Sequence, residues 1–209
     1  MNSLEKNGLK IVLFLIFTFS YSITADTKKL LILGDSISAG YGIKESENWV
    51  SLLENYLNAG SETKYFLINS SVSGDTTSGG VSRISKALEV SSPDFVLIEL
   101  GGNDALRGYP LENIEKNLEI IVKEVLNKKS KPILMQIKIP PNYGKKYVDA
   151  FEDLYPSISE KYQIPLVEFL LEKVALDSSL MQADGIHPNS LAQPIIASAM
   201  KIALLKILE

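Results

Sequence analysis

Residues 30–42 read Leu30-Leu31-Ile32-Leu33-Gly34-Asp35-Ser36-Ile37-Ser38-Ala39-Gly40-Tyr41-Gly42. No polar residue interrupts Leu30 to Leu33, and Gly34 ends the run. A strand with one wet face alternates apolar and polar side chains, whereas a strand covered on both faces reads as a continuous apolar run. The nine residues after Leu33 are mostly small, polar or glycine. The stretch is therefore a buried strand that delivers a polar loop, and helices are needed on both sides to cover it.

The rest of the chain supplies them. Trp49, Leu52, Leu53, Tyr56 and Leu57 recur at helical spacing. Tyr65 to Ile68 makes a second strand, followed by a Ser/Gly/Thr-rich loop from Asn69 to Gly80. Val81, Ile84 and Leu88 mark a helix ending near Pro93, and Phe95 to Leu100 a third strand closing on Gly101 and Gly102. Leu111, Ile114, Leu118, Ile121, Val122 and Val125 form a long amphipathic helix. Pro132 precedes a fourth strand, Ile133 to Ile137. A helical stretch from Tyr147 to Tyr162 is kinked or split by Pro156. Leu166 to Phe169 is a short fifth strand and Leu191 to Leu208 a last helix. Strands alternating with helices pair in parallel through right-handed crossovers. The expected fold is α/β, a three-layer α/β/α flavodoxin-like sandwich around a parallel sheet of about five strands. In such sheets ligands sit outside the carboxyl ends of the strands. The loops after the first three strands and the loop before the last helix all open at that edge.

Composition narrows the class. A chain of 209 residues suits one domain, and 45% hydrophobic against 22% charged residues is a globular balance. A net charge of −4 offers no basic footprint for nucleic acid. The absence of Cys excludes disulfides, thiolate metal sites and a cysteine nucleophile. Lys6 and Lys10, the apolar run Ile11 to Phe19, and then Ser22, Thr24 and Ala25 follow the order of a secretory signal peptide. Residues 1–25 are read as that peptide, cut after Ala25 or Thr24, and 26–209 as the mature domain, exported and with no stable membrane span. The alternative is an uncleaved N-terminal membrane anchor.

Four loops carry groups with chemistry. Ser36 lies just past the buried strand, where its hydroxyl can face the cleft as a nucleophile or cap a helix. The glycine pattern around it is neither a P-loop nor a dinucleotide fingerprint, and Ser38 stands where the α/β-hydrolase elbow would need Gly. His187, in Asp184-Gly185-Ile186-His187-Pro188, is the only histidine. A neutral imidazole is the usual base for a serine hydroxyl, and a carboxylate such as Asp184 is its usual orienter. The same Asp-x-x-His spacing also fits an ordinary turn hydrogen bond. Ser73-Gly74-Asp75-Thr76 and Gly101-Gly102-Asn103-Asp104 offer a backbone N–H beside a glycine and a side-chain amide, either of which can meet an oxyanion. Each is equally readable as a glycine turn with an Asx cap.

Taken together, Gly34-Asp35-Ser36, Gly74, Gly101-x-Asn103-Asp104 and Asp184-x-x-His187 stand in the order of the four blocks of the SGNH hydrolases, the GDSL-type esterases, which this sequence resembles from about Leu31 to its last helix. The stretches GDSISAGYG, SGDTTSGG, ELGGNDALRG, MQIKIPPNYGKKY and MQADGIHPN resemble the multifunctional acyl-CoA thioesterase, lysophospholipase and arylesterase group within it. The resemblance implies Ser36 as nucleophile, His187 as base, Asp184 as orienter, and Gly74, Asn103 and the Ser36 N–H as oxyanion donors. It also suggests Leu106, Ile139 and Pro140 as a groove for one acyl chain. The implied partner is a small acyl ester or thioester; no metal or cofactor is needed, a monomer is expected, and the location implied is periplasmic. Two rivals stand beside this reading: a carbohydrate O-acetylesterase, in which the same four blocks occur, and a non-catalytic binding module that keeps the fold, against which the intact set of Ser36, Gly74, Asn103, Asp184 and His187 argues.

Overall fold

The computed structural model describes residues 27–169 and 171–208. The leader assigned to residues 1–25 lies outside them. The apolar run at Leu30 is the inner part of β1 (Thr27–Gly34), whose last five residues are all buried. Two lysines at its start, Lys28 and Lys29, conceal three further paired residues that the apolar run alone does not reveal. β1 is followed by a single helical turn, α1 (Ser36–Ala39), and by α2 (Trp49–Asn58). Then come β2 (Lys64–Asn69), α3 (Thr77–Ser91), β3 (Phe95–Glu99), α4 (Gly102–Leu106), α5 (Leu111–Asn127) and β4 (Lys131–Met135). The chain closes with α6 (Lys145–Glu152), α7 (Leu154–Tyr162), β5 (Leu166–Val167), α8 (Glu172–Ala175) and α9 (Gln193–Leu208).

All five strands are parallel in the order β2-β1-β3-β4-β5. The order reverses between β1 and β3, the point at which a crevice opens in doubly wound sheets. α2 and α9 pack together on one face, and α3 packs on α5, with α7 beside it, on the other. Both faces of β3 are therefore covered, and all five of its residues are buried. Leu30, Ile32, Leu33, Val96, Leu97, Ile98, Ile133 and Leu134 have no accessible surface at all. Burying one such side chain contributes roughly 1.5–3 kcal/mol.

Two prolines sit where their chemistry allows. Pro132 lies inside β4 and not before it. The N–H groups of Leu134 and Gln136 donate toward β5, so the N–H that Pro132 lacks would face the same side, above the first β5 pairing at Leu166. Pro156 splits the helical stretch as expected, but the break falls at Asp153. A proline ring collides with the carbonyl four residues back, here Glu152, so the helix ends there and restarts with Pro156 in its first turn. The fifth strand is shorter than the apolar run suggests, pairing only at Leu166 and Val167.

Candidate active site

Asp35, and not Ser36, caps α1: its Oδ1 accepts from Ile37 N at 3.0 Å. Ser36 is thereby the first helical residue, and its own N–H has no carbonyl four residues back to bond. The capping role open to a serine here is taken by its neighbour, which leaves the Ser36 hydroxyl free to face the cleft. His187 Nε2 lies 2.9 Å from Ser36 Oγ. His187 Nδ1 lies 2.7 Å from Asp184 Oδ2, while Asp184 Oδ1 accepts from Ile186 N at 2.9 Å and His187 N at 3.0 Å. The carboxylate fixes the ring and the turn that carries it. These bonds, the His187 backbone N–H first, hold the Asp184 carboxyl down at about 2.

The turn itself is anchored. Gln182 N donates to His187 O at 2.8 Å, and Met181 bridges to Pro188 in antiparallel fashion. Gln182 Nε2 donates to Pro188 O and, across the cleft, to Tyr41 O at 2.8 Å. The Tyr41 ring stands 4.6 Å from the His187 ring. The last loop is thus tied to the first, although 151 residues separate Ser36 from His187.

Asn103 is held from below. Its Nδ2 donates to Asp35 Oδ2 at 3.0 Å, leaving the second amide hydrogen available. Gly74, in the left-handed region at φ +77°, joins the same frame through its carbonyl, which accepts from Arg107 Nη2 at 3.1 Å. Arg107 directly follows α4, which carries Asn103. The two loops are further tied by Asp104, whose carboxylate accepts from Thr77 N at 2.8 Å and Thr77 Oγ1 at 2.6 Å.

A cavity of about 600 Å³ opens over Ser36, lined by Ser36, Asn103 and His187 together with Leu106, Ile139 and Pro140. Ile137, Met135 and Phe169 extend its apolar wall. The three groove residues expected from sequence therefore border the cavity, and Gly74 is not among the residues lining it. A nucleophile hydrogen-bonded to a base, the base bonded to a carboxylate, and amide donors across an apolar cleft can together carry acyl transfer.

Comparison with known proteins places this geometry. Residues 32–193 match the GDSL-like lipase/acylhydrolase family. The chain belongs to that family. Thioesterase 1/protease 1/lysophospholipase L1 of Escherichia coli K12 is 44% identical over 90% of this chain and 88% of its own. An arylesterase of Vibrio mimicus is 43% identical over 95% of this chain and 97% of its own. The crystal structure of the psychrotrophic esterase EstA from Pseudoalteromonas sp., inhibited by monoethylphosphonate, superposes with a TM-score of 0.84 at 41% identity, covering 87% of this chain and 98% of that one. As a GDSL-like acylhydrolase the protein is an enzyme, an ester hydrolase on the flavodoxin-like sheet expected from its sequence.

Several groups at the GDSL-like site escape a reading by motif. Glu99, at the end of β3, has an Oε2 that accepts from Asp35 N at 3.1 Å and Ser38 Oγ at 2.7 Å. Burial pushes both carboxyls above the ordinary range, and Glu99, with Asp35 beside it, well above. Arg83 pairs with Asp75 at 2.7 Å and donates to the carbonyls of Gly34 and Ser70, clamping the first two loops together. The available signal for Glu99 is a single charged residue within Phe95-Val96-Leu97-Ile98-Glu99-Leu100. A lone charge in a doubly covered strand needs a buried partner.

Proposed function

We propose that the protein hydrolyses esters and thioesters of single acyl chains through an acyl-enzyme on Ser36. Ser36 Oγ attacks the carbonyl carbon while His187 Nε2 takes its proton. The carbonyl π-electrons move onto oxygen, where the free Asn103 amide hydrogen, Gly74 N–H and Ser36 N–H receive them. The C–O or C–S bond then breaks, and His187 returns the proton to the leaving alcohol or thiol. Water enters, gives its proton to His187 and attacks the acyl carbon, and Ser36 leaves reprotonated. Asp184 keeps Nδ1 protonated throughout and stabilises the transient imidazolium.

The observation that carries this reading is the unbroken Asp184–His187–Ser36 chain of contacts at 2.7 and 2.9 Å. A binding module has no use for such a relay. The apolar wall of Leu106, Ile137 and Ile139, larger than the polar part to which Lys138 and Glu152 contribute, supports a fatty acyl chain over an acetylated sugar. The thioesterase, lysophospholipase and arylesterase names of the relatives support the same range of leaving groups. We assign the chain to the periplasm, after removal of residues 1–25, and to action as a monomer; no described helix is long and apolar enough to cross a membrane.

The test is Ser36→Ala assayed on a chromogenic short-chain ester and on octanoyl thioester. Turnover is expected to fall by several orders of magnitude on both. Undiminished turnover would sink the assignment.

A further inference from the structure

We propose that Asp35 is the positioning residue of the oxyanion hole: its carboxylate aims the Asn103 amide, and Glu99 beneath holds Asp35 in place. This rests on the Ser36 reading above and adds to it a pair of carboxyl groups that the hydrolytic cycle does not itself consume.

An asparagine amide can be turned over at little cost unless a neighbour distinguishes its oxygen from its nitrogen. An ionised carboxylate only accepts. With Asp35 Oδ2 at 3.0 Å from Asn103 Nδ2, the flipped amide would set oxygen against oxygen. Only one orientation survives, and in it the second N–H remains for the oxyanion. Asp35 is itself tethered on two sides. Its Oδ1 accepts from Ile37 N at 3.0 Å, and its N–H donates to Glu99 Oε2 at 3.1 Å. One side chain thus fixes both the turn that bears Ser36 and the amide across the cleft.

Glu99 explains why this arrangement is buildable. It is only 3% exposed and Asp35 only 5%. Two bare carboxylates so placed repel, so one proton stays between them. Glu99 Oε2 accepts from the Asp35 N–H at 3.1 Å and from Ser38 Oγ at 2.7 Å. Burial raises Glu99 further than Asp35, so the proton rests on Glu99 and the negative charge stays on the residue that faces Asn103. Space is reserved for it: a Cβ on Gly34 would lie 2.4 Å from Glu99 Oε2. A plain helix cap would need one oxygen. Two independent donors, Ile37 N and Asn103 Nδ2, call for a carboxylate.

The experiment is a double-mutant cycle on the full chain with a chromogenic short-chain ester. Asp35→Ser keeps a capping oxygen and removes the acceptor for Asn103. It is expected to lower kcat by up to about 10²-fold with KM little changed, the scale of a small misplacement at a reacting centre. Asn103→Ala is expected to lower kcat by about 10²–10³-fold. The double variant should be no slower than Asn103→Ala alone, because Asp35 acts through the amide. Glu99→Leu should lower kcat as Asp35→Ser does, and Glu99→Gln, which keeps an uncharged acceptor oxygen for the Asp35 N–H, should recover most of it. If Asp35→Ser does not fold by circular dichroism, Asp35→Asn, which has one oxygen for two donors, completes the same cycle. Losses that multiply in the double variant would overturn the proposal while Ser36→Ala remains dead. An active Ser36→Ala would overturn the hydrolase mechanism beneath it.

Discussion

Three N–H groups converge on the Asp184 carboxylate, two from the backbone of its own turn and one from the His187 ring. They hold its pKa at about 2, below the ordinary value near 3.9. Between those values the unfolded chain binds the proton more tightly than the folded one. The stability this group contributes is therefore complete above about pH 4 and is lost as pH falls through about 2. Asp184→Asn should flatten the fall in urea midpoint between pH 5 and pH 2, and lower kcat by on the order of 10⁴-fold through loss of the correct tautomer. The sign is opposite for Asp35 and Glu99, whose folded values are raised. Their contribution is full at low pH and is lost as pH rises through those values. The urea midpoint of Glu99→Gln should accordingly vary less than that of the native chain between pH 5 and pH 9. Ser36 is legible in sequence because it sits in a loop at the end of an apolar run, and His187 because it is the only histidine. The role of Glu99 is not, because its lone charge marks a buried partner without naming it, and that partner, Asp35, is 64 residues away.

At the level of elements, the loop from β3 into α4 is the most constrained. Gly101 adopts φ +119°, and a Cβ there would stand 2.3 Å from Tyr155 Oη, which donates to Leu100 O at 2.9 Å. Gly101→Ala should destabilise the fold by roughly 1–3 kcal/mol in urea unfolding, from backbone strain and overpacking together. Tyr155→Phe in the same chain should return part of that loss by removing the obstructing oxygen. Both glycines after β3 are visible in sequence, yet Tyr155 as the reason for one of them is not, since it comes from α7. The helix split has the same character. Pro156 announces it, but the break at Asp153 follows from where a proline ring meets the preceding turn.

For the molecule as a whole, alternation of strands and helices reveals the class but not the order of the sheet. The order β2-β1-β3-β4-β5 is what seats Ser36 and Asn103 on adjacent strand ends. The packing of α9 on α2 then sets the loop before α9 against the loop before α2, where Gln193 Oε1 accepts from Trp49 N at 3.0 Å. Neither contact is written in local periodicity, because both depend on which side each crossover passes. The apolar wall of the cavity makes a prediction at this scale. Ile139→Ser should raise KM for an octanoyl ester several-fold and leave an acetyl ester nearly unchanged, each buried methylene being worth about 0.8 kcal/mol. Equal effects on both esters would remove Ile139 from the acyl path.

β1 is paired on both sides and runs straight from Thr27 to the loop that bears Ser36. Eight residues of strand separate the two ends by about 26 Å. The Thr27 end of the strand therefore lies at the edge of the sheet opposite Ser36. A bead, a fusion partner or an electrode surface coupled there would grip the protein from behind, and the mouth of the cavity would look outward into the bulk solution.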